Sequence, residues 1–175
     1  IKIQMQTIDG ALQATKHDLK LPYQNGPIDI PFPDLPLFSK TEVGEMLKIC
    51  GENVYVAKIR GTYYCVKPLN RSDDGHFLRE IGLLRRIGSH PNIVPLTGLI
   101  DAGGGKVDAI VLPYIPGISL QYIPWITKVQ AKKWKKQISD VVHFLHGQDI
   151  IWGDVKAHNI RIDQRNDNAV AIDFG

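Results

Sequence analysis

The feature that most constrains this chain is the run Asp154-Val155-Lys156-Ala157-His158-Asn159, followed at the end by Asp173-Phe174-Gly175. Each polar cluster comes after a short apolar run, Ile150-Ile151-Trp152 and Ala169-Val170-Ala171-Ile172. Three polar groups on one turn, with a carboxylate at the end of the next strand, match what phosphoryl transfer requires. One acid takes a hydroxyl proton, a cation neutralises the moving phosphate, and an amide and a second acid hold Mg²⁺. An Asp-Phe-Gly tripeptide alone carries little. The ordered spacing D-x-K-x-x-N and then D-F-G is far more specific.

The chain ahead of this stretch alternates short strands and one helix before a long helix. Residues 1–40 read as an N-terminal extension. Ile1-Lys2-Ile3-Gln4-Met5 alternates like a strand, and Pro22, Pro27, Pro31, Pro33 and Pro36 mark an extended linker. Runs at 46–49, 54–59 and 63–67, separated by Gly51-Glu52-Asn53 and Arg60-Gly61-Thr62, predict a three-stranded antiparallel meander ending in Lys67. Ser72-Asp73-Asp74 supplies helix caps, and Phe77, Ile81 and Leu84 recur at helical spacing beside Glu80. Strands are expected at 94–100 and 107–112 around the turn Gly103-Gly104-Gly105. Thr127-Lys128-Val129-Gln130 is a capping box opening a helix with the apolar stripe Trp134, Ile138, Val141, Val142 and Leu145. Lys132, Lys133, Lys135 and Lys136 fall mostly off that stripe and read as its solvated face. A hairpin, 160–163 and 169–172, then delivers Asp173.

The order and spacing of these pieces resemble the eukaryotic protein kinase domain from about Thr41 to Gly175. The matching motifs are the catalytic loop, the Asp-Phe-Gly, the His90-Pro91-Asn92-Ile93-Val94 turn and the Phe144-Leu145-His146 helix ending. Lys156, two residues after the acid, is the Ser/Thr-type pattern, and Trp152-Gly153-Asp154 resembles a fungal kinase-like branch. The resemblance implies an α+β bilobal fold: a complete small lobe, antiparallel sheet plus helix C, with only the first part of a helical large lobe. Its divisions would be an extension (1–40), small lobe and hinge (41–115), and a partial large lobe carrying the helix D/E region (116–175).

It also implies roles. Asp154 and Lys156 are catalytic, and Asn159 and Asp173 bind the metal. Lys67, set by Glu80, grips the ATP phosphates, and Val54, Cys65, Leu112, Pro113 and Ile115 surround the nucleotide. The cofactors implied are ATP and Mg²⁺, and the partner is a protein with a Ser or Thr acceptor. Because the chain stops directly after the Asp-Phe-Gly, truncation of the domain is expected, with loss of turnover and of stable folding in the isolated piece.

Four departures stand out. Trp152 replaces the loop histidine, and Gly153 replaces the arginine that receives an activation-loop phosphate. Only Gly51 remains of the glycine-rich loop, and Arg161 lies where a leucine would cover adenine. Two other readings share parts of the pattern. A pseudokinase scaffold would keep the fold without Mg-ATP chemistry, and a small-molecule phosphotransferase would take non-protein acceptors.

A formal net charge of +3 is too small to argue for nucleic acid. Cys50 and Cys65 do not make a disulfide framework. No signal peptide or membrane-length apolar run is evident, so an intracellular, cytoplasmic protein without membrane or nucleic-acid partners is expected.

Overall fold

The computed structural model describes residues 2–8, 11–17, 28–29, 33–50, 54–69 and 74–174, with backbone alone for 2–8, 11–17, 28, 50 and 74. The turn at Gly51-Glu52-Asn53, the caps Ser72-Asp73 and the prolines at 22, 27 and 31 lie outside the described residues. The chain divides into two compact units, Ile1–Phe77 with Thr97–Tyr114, and Leu78–Leu96 with Ile115–Gly175.

The first unit is a sheet. Its strands are β1 (Lys2–Ile8), β2 (Ala11–His17), β3 (Ile28–Asp29), β4 (Leu37–Ser39), β5 (Val43–Cys50), β6 (Val54–Ile59), β7 (Thr62–Pro68), β8 (Gly98–Gly103) and β9 (Lys106–Pro113). They order as β2-β1-β5-β6-β7-β9-β8-β4, with β3 pairing β9. The meander β5-β6-β7 is the one the sequence implies. Its second turn closes through Arg60 and Gly61 at φ 48° and 85°, the doubly positive conformation that matches strand twist in a tight hairpin. Three glycines at positive φ (87°, 64° and 75°) turn β8 into β9. Strand β9 is buried from Val107 to Leu112, and Met46, Tyr55, Ile59, Val66 and Ile100 join it in the core.

Helix α1 (Asp74–Ile87) passes from the first unit into the second. Phe77, Ile81, Leu84 and Ile87 are buried along it, together with Glu80 at 4% exposure. Their spacing of three and four residues is that of one helix face.

The strand expected from Val94 begins instead at Gly98. Residues 92–94 pair with the far end of the chain: the Ala171 N–H donates to the Asn92 carbonyl (2.8 Å) and the Val94 N–H to the Ala171 carbonyl (3.0 Å). Pro95 has no N–H to extend a ladder. Pairing with β9 resumes where the Thr97 N–H reaches the Val111 carbonyl at 3.0 Å.

The rest of the second unit is helix α2 (Lys128–His146) against a small sheet of β10 (Gly117–Ser119), β11 (Ile160–Asp163) and β12 (Asn168–Ala171). The capping box forms as read, with reciprocal bonds between Thr127 and Gln130. Trp134, Val141 and Leu145 are fully buried, while Ile138 and Val142 line an open apolar groove with Ile126 and Leu120. The helix is pinned to the hairpin by Trp134 Nε1 donating to the Asp167 carbonyl (2.9 Å) and by the Ala169 N–H donating to Gln137 Oε1 (2.9 Å). Lys132, Lys135 and Lys136 are exposed, and Lys133 reaches Asp167 at 3.4 Å. Between β10 and α2 the chain makes only a 3₁₀ turn, Leu120–Tyr122. No helix among the described residues is long and apolar enough to cross a membrane.

Asn92 provides a test of how the second unit is tied together. Its buried Nδ2 donates to the Ala169 carbonyl at 2.7 Å. Asn92→Ala leaves that carbonyl unpaired and should cost about 1–3 kcal/mol in urea unfolding.

Candidate active site

The loop after α2 is shaped by apolar anchors on either side of an exposed turn. Ile150 and Trp152 are buried, whereas Asp154, Val155 and Lys156 face solvent. A 3₁₀ turn at Ala157–Asn159, closed by the Asn159 N–H on the Lys156 carbonyl (2.9 Å), then returns the chain to β11. Asn159 ends up 2% exposed and Asp154 53% exposed in its side chain.

Three of the sequence-selected residues meet directly. Asn159 Nδ2 donates to Asp154 Oδ2 (2.9 Å) and to the Asp154 carbonyl (3.0 Å). Lys156 Nζ lies 2.6 Å from the same Oδ2. The Lys156 hydrogen bond, with a smaller contribution from Asn159 and the nearby His158, holds the Asp154 carboxyl below the usual carboxylate range against a modest burial cost. With its amide nitrogen committed to Asp154, Asn159 keeps its side-chain oxygen as an acceptor.

The Asp-Phe-Gly segment is attached to this loop at two points. The Ile172 N–H donates to the Asn159 carbonyl (2.9 Å), and Trp152 Nε1 donates to the Asp173 carbonyl (3.1 Å). The Trp152 indole also stacks on Phe174, with centroids 5.3 Å apart and planes at 25°. The aromatic at the histidine's place therefore both fills the space and supplies a donor. Asp173 itself is exposed and sits at φ 65°, a left-handed conformation uncommon outside glycine.

Arg161 is also accounted for. Its Nε donates to the Ile115 carbonyl (2.7 Å) and its Nη2 to the Gly117 carbonyl (2.5 Å). The half-buried guanidinium thus bonds the backbone at the start of β10. Strand β10, which sequence reading missed, pairs Gly117 with Asp163 and Ser119 with Arg161. Gly117 sits at φ 140°, and a Cβ there would lie 1.9 Å from the Ile162 carbonyl oxygen, so only glycine fits. Ser119 Oγ donates to the carbonyls of Ala157 (3.0 Å) and His158 (3.1 Å), bracing the turn that carries Asn159. Gly117-Ile118-Ser119 is the only sequence trace of this brace, and it has no periodicity to mark it.

In the first unit Lys67 is half-buried in β7, opposite Ile110 of β9. Cys65 faces the buried Leu112, and Tyr64 faces Pro113. Val54 opens β6, half-buried. Glu80 and Ile115 belong to the second unit.

Among the described residues no three His, Cys, Asp or Glu side chains form a metal cluster. An amide oxygen and a carboxylate are hard donors of the kind Mg²⁺ takes when phosphates complete its shell.

The protein kinase domain family matches residues 51–175. The chain belongs to that family. It is also 31% identical over 140 residues to the "Probable CTD kinase subunit alpha homolog" of Encephalitozoon cuniculi (strain GB-M1), an alignment covering 75% of this chain. The kinase domain chain spans 42% of that relative's length.

Two outcomes follow from the loop geometry. Lys156→Met should move the Asp154 pKa up toward the ordinary carboxylate value, read by NMR titration of its side-chain carboxyl. Because the Asp154 pKa is lowered in the folded state, its stabilising contribution is present above the unfolded pKa and fades as pH falls through the folded one. Trp152→Phe keeps a ring on Phe174 but loses the indole donor, and should cost about 0.5–1.5 kcal/mol. Trp152→Ala should cost about 3–5 kcal/mol by thermal unfolding.

Proposed function

We propose that this domain carries ATP-dependent phosphoryl transfer to Ser or Thr hydroxyls of protein substrates, with Asp154 as the residue that receives the hydroxyl proton. The single observation that carries the reading is the Asp154–Lys156–Asn159 contact set within a kinase-family loop. Asp154 is exposed to an incoming hydroxyl and ionised through neutral pH. Its lowered pKa makes it a modest base, which suits a loose transition state in which the proton leaves late. Lys156, resting on Asp154, has further N–H groups to offer the transferring phosphoryl oxygens.

Asn159 and Asp173 are the proposed Mg²⁺ ligands. The ion, when bound, neutralises charge on the ATP phosphates. The chain's own part is to hold these oxygens in place: Asn159 is locked by its bonds to Asp154, and Asp173 by the Trp152 donor on its carbonyl. Lys67 is proposed to grip the phosphates, with Glu80 in the carboxylate role the family pattern assigns. Val54, Cys65, Leu112, Pro113 and Ile115 are proposed around the nucleotide. Arg161 takes the Ile115 carbonyl, which leaves that residue's N–H as the group proposed to face adenine. By likeness to a relative named a probable CTD kinase subunit alpha homolog, protein hydroxyls are the proposed acceptors; an intracellular place of action is proposed as well.

The pseudokinase reading draws on the single remaining glycine of the phosphate loop, Gly51, and is separated by a binding experiment. Mg-ATP binding measured by calorimetry, and transfer to a generic Ser/Thr acceptor, are compared for the completed domain and its Asp154→Asn variant. The expected result is transfer reduced at least ~10²-fold with nucleotide affinity nearly unchanged. Loss of nucleotide binding in the same variant would reassign Asp154, and an absence of Mg-ATP binding in the unsubstituted protein would favour the scaffold.

A further inference from the structure

Residues 36–43, just ahead of the family match at 51–175, make a contact set of their own. Strand β4 runs parallel to β8, pairing Leu37 with Leu99, Phe38 with Ile100 and Ser39 with Asp101. The Leu99 N–H donates to the Pro36 carbonyl at 2.9 Å. The approach is so close that a Cβ on Gly98 would lie 2.4 Å from the Pro36 carbonyl oxygen and 2.8 Å from Phe38 Cε2. Phe38 is 7% exposed and packs on Tyr64 at 5.9 Å, with the Arg60 guanidinium 5.3 Å from its ring centre. A capping box between Ser39 and Glu42 ends the strand, and Glu42 is bonded to Arg60 Nε at 2.6 Å.

The charge that matters lies beneath this segment. Between β8 and β9 the register shifts from Ile100↔Ala109 to Asp101↔Val107, leaving Asp108 as the extra residue of a bulge. Its side chain is 1% exposed, and Lys40 Nζ approaches its Oδ2 to 2.5 Å while remaining 44% exposed itself. That approach lacks hydrogen-bond alignment, and neither Asp108 carboxylate oxygen has a hydrogen-bond partner among the described residues. A buried carboxylate that loses the one cation beside it is left uncompensated, which is strongly destabilising. The Asp108 carbonyl meanwhile accepts from the Leu69 N–H at 2.7 Å, directly beyond the strand that carries Lys67.

We propose that residues 36–43 are a charge-latched strap on this sheet: Lys40 latches onto Asp108, and loss of the lysine's charge releases the strap from β8 and loosens the end of the Lys67 strand. The asymmetry of exposure sets the direction of control. Lys40, at 44% exposure, keeps access to water without Asp108, whereas Asp108, at 1% exposure, is left without its neighbouring cation when Lys40 is removed. Removing the lysine is therefore the damaging change, and removing the aspartate is the mild one. Release would also bare the edge of β8, whose backbone is ready to pair with another extended segment. None of this depends on the transfer chemistry, so it stands or falls apart from the phosphoryl-transfer reading.

The test compares the full chain with Lys40→Met, Asp108→Asn and the double variant Lys40→Met/Asp108→Leu, by thermal unfolding and amide hydrogen exchange. Lys40→Met should lower Tm by roughly 6 °C or more. It should also speed exchange at Leu99 and Leu69 at least ~10-fold relative to distant core amides. Asp108→Asn should do distinctly less, and the double variant should recover most of the lost Tm. If Lys40→Met melts with the unsubstituted protein and keeps both amides protected, the latch is wrong. Should Lys40→Met fail to fold, the double variant still decides: a folded, strap-protected double variant supports the pairing, and one as damaged as the single overturns it.

Discussion

The second unit depends on one buried amide. Asn159 holds Asp154 through its side chain, and its backbone carbonyl receives the Ile172 N–H that places the Asp-Phe-Gly segment. It can do both because Ala157–Asn159 is a tight turn between an exposed loop and a buried strand. Its side chain therefore points back along the loop while its carbonyl joins the sheet. An exposed asparagine would lose most of this ordering to water, whereas at 2% exposure each bond is retained.

Around that amide, side-chain donors reach backbone carbonyls. Trp152 donates to the Asp173 carbonyl, Arg161 to those of Ile115 and Gly117, and Ser119 to those of Ala157 and His158. Two of these donors stand at departures from the pattern: an indole where a histidine is expected, and a guanidinium where a leucine would lie. Gly153 stands where the kinase resemblance expects an arginine, and among the described residues the loop is held by packing, by the Lys156–Asp154 ion pair and by donors on backbone carbonyls.

The first unit has the opposite economy. Its meander and β9 are held by apolar burial, and the ionic contact Lys40–Asp108 interrupts that core. A buried carboxylate in a strand buried on both faces is costly to retain, since a hydrophobic residue of similar size would serve packing at least as well. Its presence beside a bulge, under a segment outside the family match, is what sets the strap apart from an ordinary edge strand.

Much of this was legible in the residues. The bounded strand runs at 54–59 and 63–67, the Thr127–Gln130 box and the Asp154/Lys156/Asn159 spacing each encode a local structure, because strand composition, capping and loop chemistry act over a few residues. What the sequence could not disclose were contacts between residues far apart along the chain. Nothing near Val94 announces that it pairs with Ala171 and delays β8 to Gly98. Nothing near Arg161 names Ile115 as its partner, and the proline-rich approach to β4 hides that Phe38 is core and Lys40 an ion-pair partner. Local propensity determined which elements form. Tertiary packing decided which buried polar groups find partners, because a hydrogen bond or ion pair gains its worth from the water excluded around it, and that exclusion exists only once distant segments close together.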